Sequence, residues 1–200
     1  MRIPKEIRKL ADALSSLPGI GPRQGIRLAF HLIKKGEGFQ KSLADDIKDL
    51  SAVKICSDCF YIHSNPGELC EICSDPDRDK SIIAIVEKDT DLTSMENASK
   101  FNGTYLVLGE FGRGGSLEPD QKLKIKSLRS RIKRDGFSKA KEIVIALNPN
   151  PQNNFLSAQI EKELDELAER ITRLGVGIPS GGEIEFADED TLGGAIEHRR

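Results

Sequence analysis

No stretch of these 200 residues is apolar for the length of a bilayer crossing, which excludes a membrane-spanning helix. The chain also lacks a charged, then apolar, then small-residue opening, so no export signal is read and the cytoplasm is the expected address. Internal repeats and low-complexity tracts are missing too, which removes solenoids and long linkers from consideration. What is present is the composition of a globular protein, 38% hydrophobic and 31% charged. The length suits one domain or two to three small modules, with a real core in at least one of them.

Net charge is also scarce, −2 at neutral pH, but opposite charges are segregated rather than mixed. Residues 1–54 carry eleven Lys/Arg against six acids, and residues 122–141 carry nine Lys/Arg against Asp135 alone. Residues 161–190 reverse the balance, with ten acids and three bases. Two segments could therefore attract a polyanion.

Cysteine is confined to Cys56, Cys59, Cys70 and Cys73. Without an export signal, a disulfide framework is disfavoured. Two Cys-x-x-Cys pairs can place four thiolates around one ion in tetrahedral geometry, at about 2.3 Å each. Four sulfurs close the shell, so the expected cofactor is one structural Zn2+ per chain. His63, between the pairs, is not needed as a ligand and reads as exposed or locally bonded. The segment, about residues 53–75, has no helical period and reads as two knuckles joined by the turn Asn65-Pro66-Gly67. It has too few apolar residues to fold alone, so the metal contributes folding free energy directly.

Upstream, Ile3, Ile7, Leu10, Leu14 and Leu17 recur at helical spacing, with Pro4 in a first turn. After Leu17-Pro18-Gly19-Ile20-Gly21-Pro22-Arg23, a second helix places Ile26, Phe30 and Ile33 on one apolar face and stops at Gly36 and Gly38. A third carries Phe39, Leu43, Ile47 and Leu50. The glycine-flanked turn matches a helix-hairpin-helix, in which Gly19 and Gly21 let the backbone turn tightly and approach a phosphate. Arg23 and Arg27 then supply cations that hold a sugar-phosphate backbone without reading bases. An ordinary packing or dimerising hairpin is the alternative.

Downstream, apolar runs alternate with helices: residues 82–86, then 91–98; 105–108, then 121–134; 143–147, then 155–174. This order indicates crossover units and a mostly parallel sheet. The last helix keeps Leu156, Ile160, Leu164, Leu167, Ile171 and Leu174 on one face and is capped by Gly175. A strand is expected at residues 184–187, and Asp188-Glu189-Asp190 reads as the solvated cap of a short helix. Gly112-Arg113-Gly114-Gly115 lacks the lysine and hydroxyl of a phosphate-binding loop, and Gly175-x-Gly177 follows a helix, so neither is a nucleotide fingerprint.

The run Ile82-Ile83-Ala84-Ile85-Val86-Glu87 resembles the opening of a Toprim domain. In Toprim enzymes this glutamate joins an Asp-x-Asp pair after a later strand to hold magnesium. Here the corresponding Leu147-Asn148-Pro149-Asn150-Pro151-Gln152-Asn153-Asn154 has no acid, and hard divalent cations need several charged oxygen ligands. Two-metal phosphoryl chemistry is therefore disfavoured, and Glu87 is equally readable as a surface or helix-entry carboxylate.

Taken in order, the hairpin with Ala29-Phe30-His31-Leu32, the four-cysteine finger, the Toprim-like part and Gly177-Ile178-Pro179-Ser180-Gly181-Gly182-Glu183 resemble the RecR family over essentially the whole chain. The resemblance implies an α/β multi-module protein: a helix-hairpin-helix at 1–53, a zinc finger at 54–76, a Toprim-like domain at 80–175 and a C-terminal tail at 176–200. It implies a protein without catalytic activity that binds DNA as a dimer or ring-like tetramer, cooperates with RecO- and RecF-type proteins and helps load the RecA recombinase on gapped DNA. By motif match, Arg23 and Arg27 are the DNA-contacting cations and the four cysteines the zinc ligands. The chain departs from the family at Gln152-Asn153-Asn154, usually an acidic Glu-Gly-Glu patch, and at Gly112-Arg113-Gly114-Gly115-Ser116, usually a Gly-Ile-Gly-Pro loop. Two other readings stay open: a magnesium-dependent Toprim nuclease or topoisomerase-like enzyme using Glu87, and a zinc-dependent protein-interaction module that never touches DNA.

Overall fold

The structure, a computed structural model, describes residues 3–112 and 115–199, with backbone alone at 151 and 152. Arg113 and Gly114 of the glycine-rich loop, and the side chain of Gln152, therefore lie outside the described residues. The chain forms two compact units, Met1–Val53 and Lys54–Arg200.

The first unit holds three helices, α1 (Lys5–Ser15), α2 (Pro22–Lys35) and α3 (Glu37–Asp49). Pro4 caps α1 instead of entering its first turn, and Gly36, at φ +85°, separates α2 from α3, which carries Gly38 inside it. Of the face expected to be core, Ile26 is half-buried but Phe30 and Ile33 are outward, 42% and 49% exposed. The buried row of α2 is Gly25 and Ala29, against Ala11 of α1. A Cβ on Gly25 would stand 2.6 Å from the Ala11 carbonyl oxygen, so α1 and α2 touch backbone to backbone and only the smallest residues fit between them. α3 buries no residue, leaving Phe39, Ile47 and Leu50 exposed.

The second unit begins with a hairpin, β1 (Lys54–Ile55) antiparallel to β2 (Ile62–His63), followed by the single-turn helix α4 (Glu71–Ser74). Next come β3 (Ile82–Val86), α5 (Asp89–Asn97), β4 (Thr104–Val107), α6 (Pro119–Arg134), β5 (Glu142–Ala146), α7 (Pro151–Leu164), β6 (Ile171–Arg173) and α8 (Glu189–Glu197). The sheet order is β4-β3-β5-β6, all parallel. Alternation sends Ile83, Ile85, Leu106, Ile143 and Ile145 to one face, under Ile125, Leu128 and Ile132 of α6 and Ile160 and Leu164 of α7. Ala84, Val86, Tyr105 and Val107 meet the other face, where Leu92 of α5 and the four cysteines cover them.

In the second unit, two expected elements differ. The helix read through residue 174 stops at Leu164, and Ile171–Arg173 is a strand. Twenty helical residues would extend about 30 Å, whereas the five residues of β5 reach roughly 17 Å. The last turns would overshoot the sheet with nothing to cover them. Instead the chain turns after Leu164 and fills the open edge of β5, where the Ile143 N–H donates to the Arg170 carbonyl at 2.9 Å. The strand expected at residues 184–187 is a 3-10 turn (Ile184–Phe186), with Ile184 68% and Phe186 79% exposed and no strand among the described residues beside it. The acidic cap does hold: the Asp188 carboxylate accepts from the Thr191 N–H at 2.9 Å and opens α8. No described helix is long and apolar enough to cross a membrane.

Candidate functional site

The hairpin between α1 and α2 is built by its own backbone. The Ile20 N–H donates to the Leu17 carbonyl at 3.1 Å, and Gly19 turns through φ +80°, a conformation that side chains resist. Gly21 is the N-cap of α2 in an extended conformation with nothing within 4 Å of where a methyl group would stand, so the chain's own packing does not demand glycine there. Pro22 occupies the first helical position and no side chain caps the helix, which leaves the first-turn N–H groups turned to solvent. Arg23 and Arg27 are exposed, one turn apart, and neither forms an ion pair among the described residues. The arrangement is a helix N-terminus with unspent donors beside two unspent guanidinium groups, able to hold an anion of phosphate type.

In the second unit the two knuckles bring together Cys56, Cys59, Cys70 and Cys73, whose sulfurs all lie within 4.8 Å of one another and are buried. Tetrahedral thiolates around one ion at ~2.3 Å would stand roughly 3.8 Å apart, and Cys59 and Cys70 Sγ are at 3.5 Å. The turns that achieve this are held by Cys56 N–H to the Tyr61 carbonyl (2.8 Å) and Ser57 N–H to the Glu68 carbonyl (3.1 Å), with Phe60 in the left-handed region at φ +62°. The Cys70 N–H donates to Cys56 Sγ (3.3 Å) and the Cys73 N–H to Cys70 Sγ (3.5 Å), the donor pattern that stabilises negative sulfur. Hydrogen bonds from Cys59, Cys70 and Cys73 push the Cys56 thiol far below its ordinary value, while those to Cys56, Cys59 and Cys70 push Cys73 far above it. Four buried sulfurs this close cannot all be thiolates unless a cation joins them, and the soft, closed donor set fits a structural metal ion.

The knuckle also closes the sheet. On the outer edge of β4, the Val107 N–H donates to the Cys59 carbonyl at 2.8 Å. The Tyr105 carbonyl accepts from Arg131 at 2.8 Å and the Val107 carbonyl from Lys124 at 3.3 Å. Arg134 is bound to the buried Asp58 carboxylate at 2.5 Å. Charge pattern carries no sign of this: part of the basic segment expected to face a polyanion is turned inward, because an edge strand needs donors for its carbonyls. Of the two expectations for His63 the local bond holds and the exposure does not: it is buried, its Nδ1 accepts from the Asn65 N–H at 3.2 Å, and it lies outside the four-sulfur group.

Glu87 follows β3, half-buried, and the position after β5 offers Asn148 and Asn150 in place of acids; the Asn150 side chain is occupied in capping α7 through the Asn153 N–H at 2.8 Å. Among the described residues, the four cysteines are the group of three or more ligand types close enough to share a metal, and Glu87 belongs to no such group.

Family models match along the chain in this order: the helix-hairpin-helix of RecR at residues 7–50, a Toprim domain at 81–174 and the RecR C-terminal region at 177–200. Among similar proteins is the recombination protein RecR of Thermus thermophilus, 38% identical over 200 residues, covering 100% of this chain and 99% of the relative. The recombination protein RecR of Rubrobacter xylanophilus is 36% identical over 98% of this chain and 96% of its own length. That of an Anaeromyxobacter species is 37% identical over 100% of this chain and 99% of the relative.

Proposed function

Because the chain belongs to the RecR family, we propose that it is a non-enzymatic mediator of recombinational DNA repair, which grips DNA by its phosphates and helps RecO- and RecF-type partners load the RecA recombinase on gapped DNA. The observation that carries this reading is the hairpin: an uncapped helix N-terminus flanked by Arg23 and Arg27, neither of them in an ion pair among the described residues. Gly19 and Gly21 leave room for the backbone to approach, and the contact holds phosphate without choosing a sequence. Cys56, Cys59, Cys70 and Cys73 take one Zn2+ whose role is to hold the knuckle in shape. Glu87, without acids after β5, joins no group of metal-ligating side chains among the described residues, which supports a role outside magnesium chemistry. The parts are residues 1–53 for DNA, 54–76 for zinc, 80–175 for the Toprim-like scaffold and 176–200 for the tail. The protein works in the cytoplasm at the nucleoid, as a homo-oligomer, and the outward apolar row of the helical unit, Leu10, Phe30, Ile33 and Ile47, supplies the contact between copies.

The test is DNA binding measured between about 50 and 200 mM salt, where several phosphate contacts require affinity to fall steeply. Arg23→Ala with Arg27→Ala is expected to weaken binding and flatten the salt dependence. A wild-type protein that ignores gapped DNA at low salt overturns the reading. Cleavage of gapped DNA in magnesium that Glu87→Gln abolishes would replace it with an enzyme.

A further inference from the structure

α6 divides its cations between two tasks. Lys124 and Arg131 turn inward to the carbonyls of β4, and Arg134 is bound to Asp58. Lys122, Lys126, Arg129 and Lys133 remain, at steps of four, three and four residues, which sets them within about 40° of one line along the helix. Lys122, Lys126 and Lys133 are exposed and have no acidic partner among the described residues. Arg129 meets Glu166 at 2.8 Å, with the two side chains 51% and 77% exposed, a pair that water and salt screen and a stronger anion displaces.

Four cations in one file repel one another at every i,i+3 and i,i+4 step, and among the described residues only Glu166 offsets that repulsion with an ion pair. The line runs about 16 Å from Lys122 to Lys133. One strand of a duplex offers a phosphate every ~3.4 Å of axis, so a line of that length faces several. We propose that the outer face of α6 is a second phosphate track, on which Lys122, Lys126, Arg129 and Lys133 follow a nucleic-acid backbone independently of the hairpin. The proposal rests on the DNA-binding reading above and adds a contact surface in the other unit. Like the hairpin, the track acts on phosphates, which position a protein on nucleic acid without carrying sequence information, and three of its four groups are lysine ammoniums that meet phosphate as point charges.

The experiment is fluorescence anisotropy of the full-length protein on a gapped duplex and on single-stranded DNA across a salt series, with polyglutamate as a second titrant. The variants are Lys122→Gln/Lys126→Gln/Lys133→Gln, the matching triple Lys→Arg, and Arg23→Ala/Arg27→Ala. The triple Gln variant is expected to keep its helicity and metal content. Its slope of log affinity against log salt on duplex DNA should be shallower by roughly 2.7, at about 0.9 per lost phosphate, and the Arg triple should restore it. An unchanged slope in the Gln triple, with the Arg23/Arg27 variant impaired, overturns the α6 track and leaves the hairpin reading standing. Loss of polyglutamate binding with the DNA slope intact assigns the face to an acidic protein and overturns the proposal. A wild-type protein that binds no DNA removes both readings.

Discussion

The two units are written in similar amphipathic patterns yet bury opposite things. The sheet unit hides its large side chains, with Ile85, Leu106, Leu128 and Ile160 at 0% exposure. The helical unit hides Ala11, Gly25 and Ala29 and turns Leu10, Phe30, Ile33 and Ile47 outward. Of these, Leu10, Ile33 and Ile47, with Ile7, Leu32 and Leu43, line a groove of about 300 Å³. The difference lies in what closes each core. A sheet offers a flat apolar surface that helices cover with bulky residues, at about 25 cal/mol per Å² removed from water. Two helices joined by a tight hairpin approach too closely for bulk, so their larger residues remain available for other contacts. The sheet unit is therefore expected to carry its own stability, and the helical unit to gain more from association.

The most severe way to break this contrast is to remove the metal. Chelation is expected to abolish a thermal transition of the sheet unit, because thiolate binding is worth on the order of 10 kcal/mol to small zinc modules, while the α1–α3 helices persist. Hydrogen exchange at the Val107 N–H, which the Cys59 carbonyl protects, reads this directly; a chelated protein with unchanged protection there would refute the coupling. Next in size, Leu128→Ala should cost about 2–5 kcal/mol in denaturant unfolding, while Phe30→Ala, at a side chain already 42% exposed, should cost much less per carbon removed in dilute monomer. Equal losses would mean that the helical unit buries Phe30 in solution. Gly25→Ala is expected to destabilise the helical unit by roughly 1–3 kcal/mol through overpacking, since the new methyl meets the Ala11 carbonyl oxygen at 2.6 Å. A neutral result would show that α1 can shift away.

The smallest effect is pH-dependent and confined to the sheet unit. Arg78, hydrogen-bonded to Glu96, holds that carboxyl below the usual range, helped by the Tyr105 hydroxyl. A group depressed in the folded state stabilises above its unfolded value, near pH ~4.3, and that contribution disappears as pH falls through the folded value. Acid titration of stability should therefore show a limb below about pH 4 that Glu96→Gln removes; a limb unchanged in the variant would assign it to other carboxylates.

Much of the sheet unit is legible from pattern alone, because strands such as Ile82–Val86 and Glu142–Ala146 are continuous apolar runs between helices. The end of α7 is not. Leu164, Leu167 and Ile171 keep helical spacing, but which of them stay helical depends on how far β5 reaches and on whether its edge is vacant. The four cysteines announce their grouping through two short spacings, since a two-residue gap constrains both sulfurs locally. That the same knuckle seals β4 is not visible in those spacings, because it depends on a carbonyl meeting an N–H 48 positions away, Cys59 to Val107.

By itself the sequence determined the alternation of strands and helices, the tight turn at Gly19 and the paired thiols, all properties set by backbone sterics and neighbours within a few residues. Tertiary structure alone decided which lysines and arginines of α6 serve the fold and which face water, and which face of α2 is core. Those choices depend on the distance to another element, and a helix repeats every ~3.6 residues whatever stands beside it.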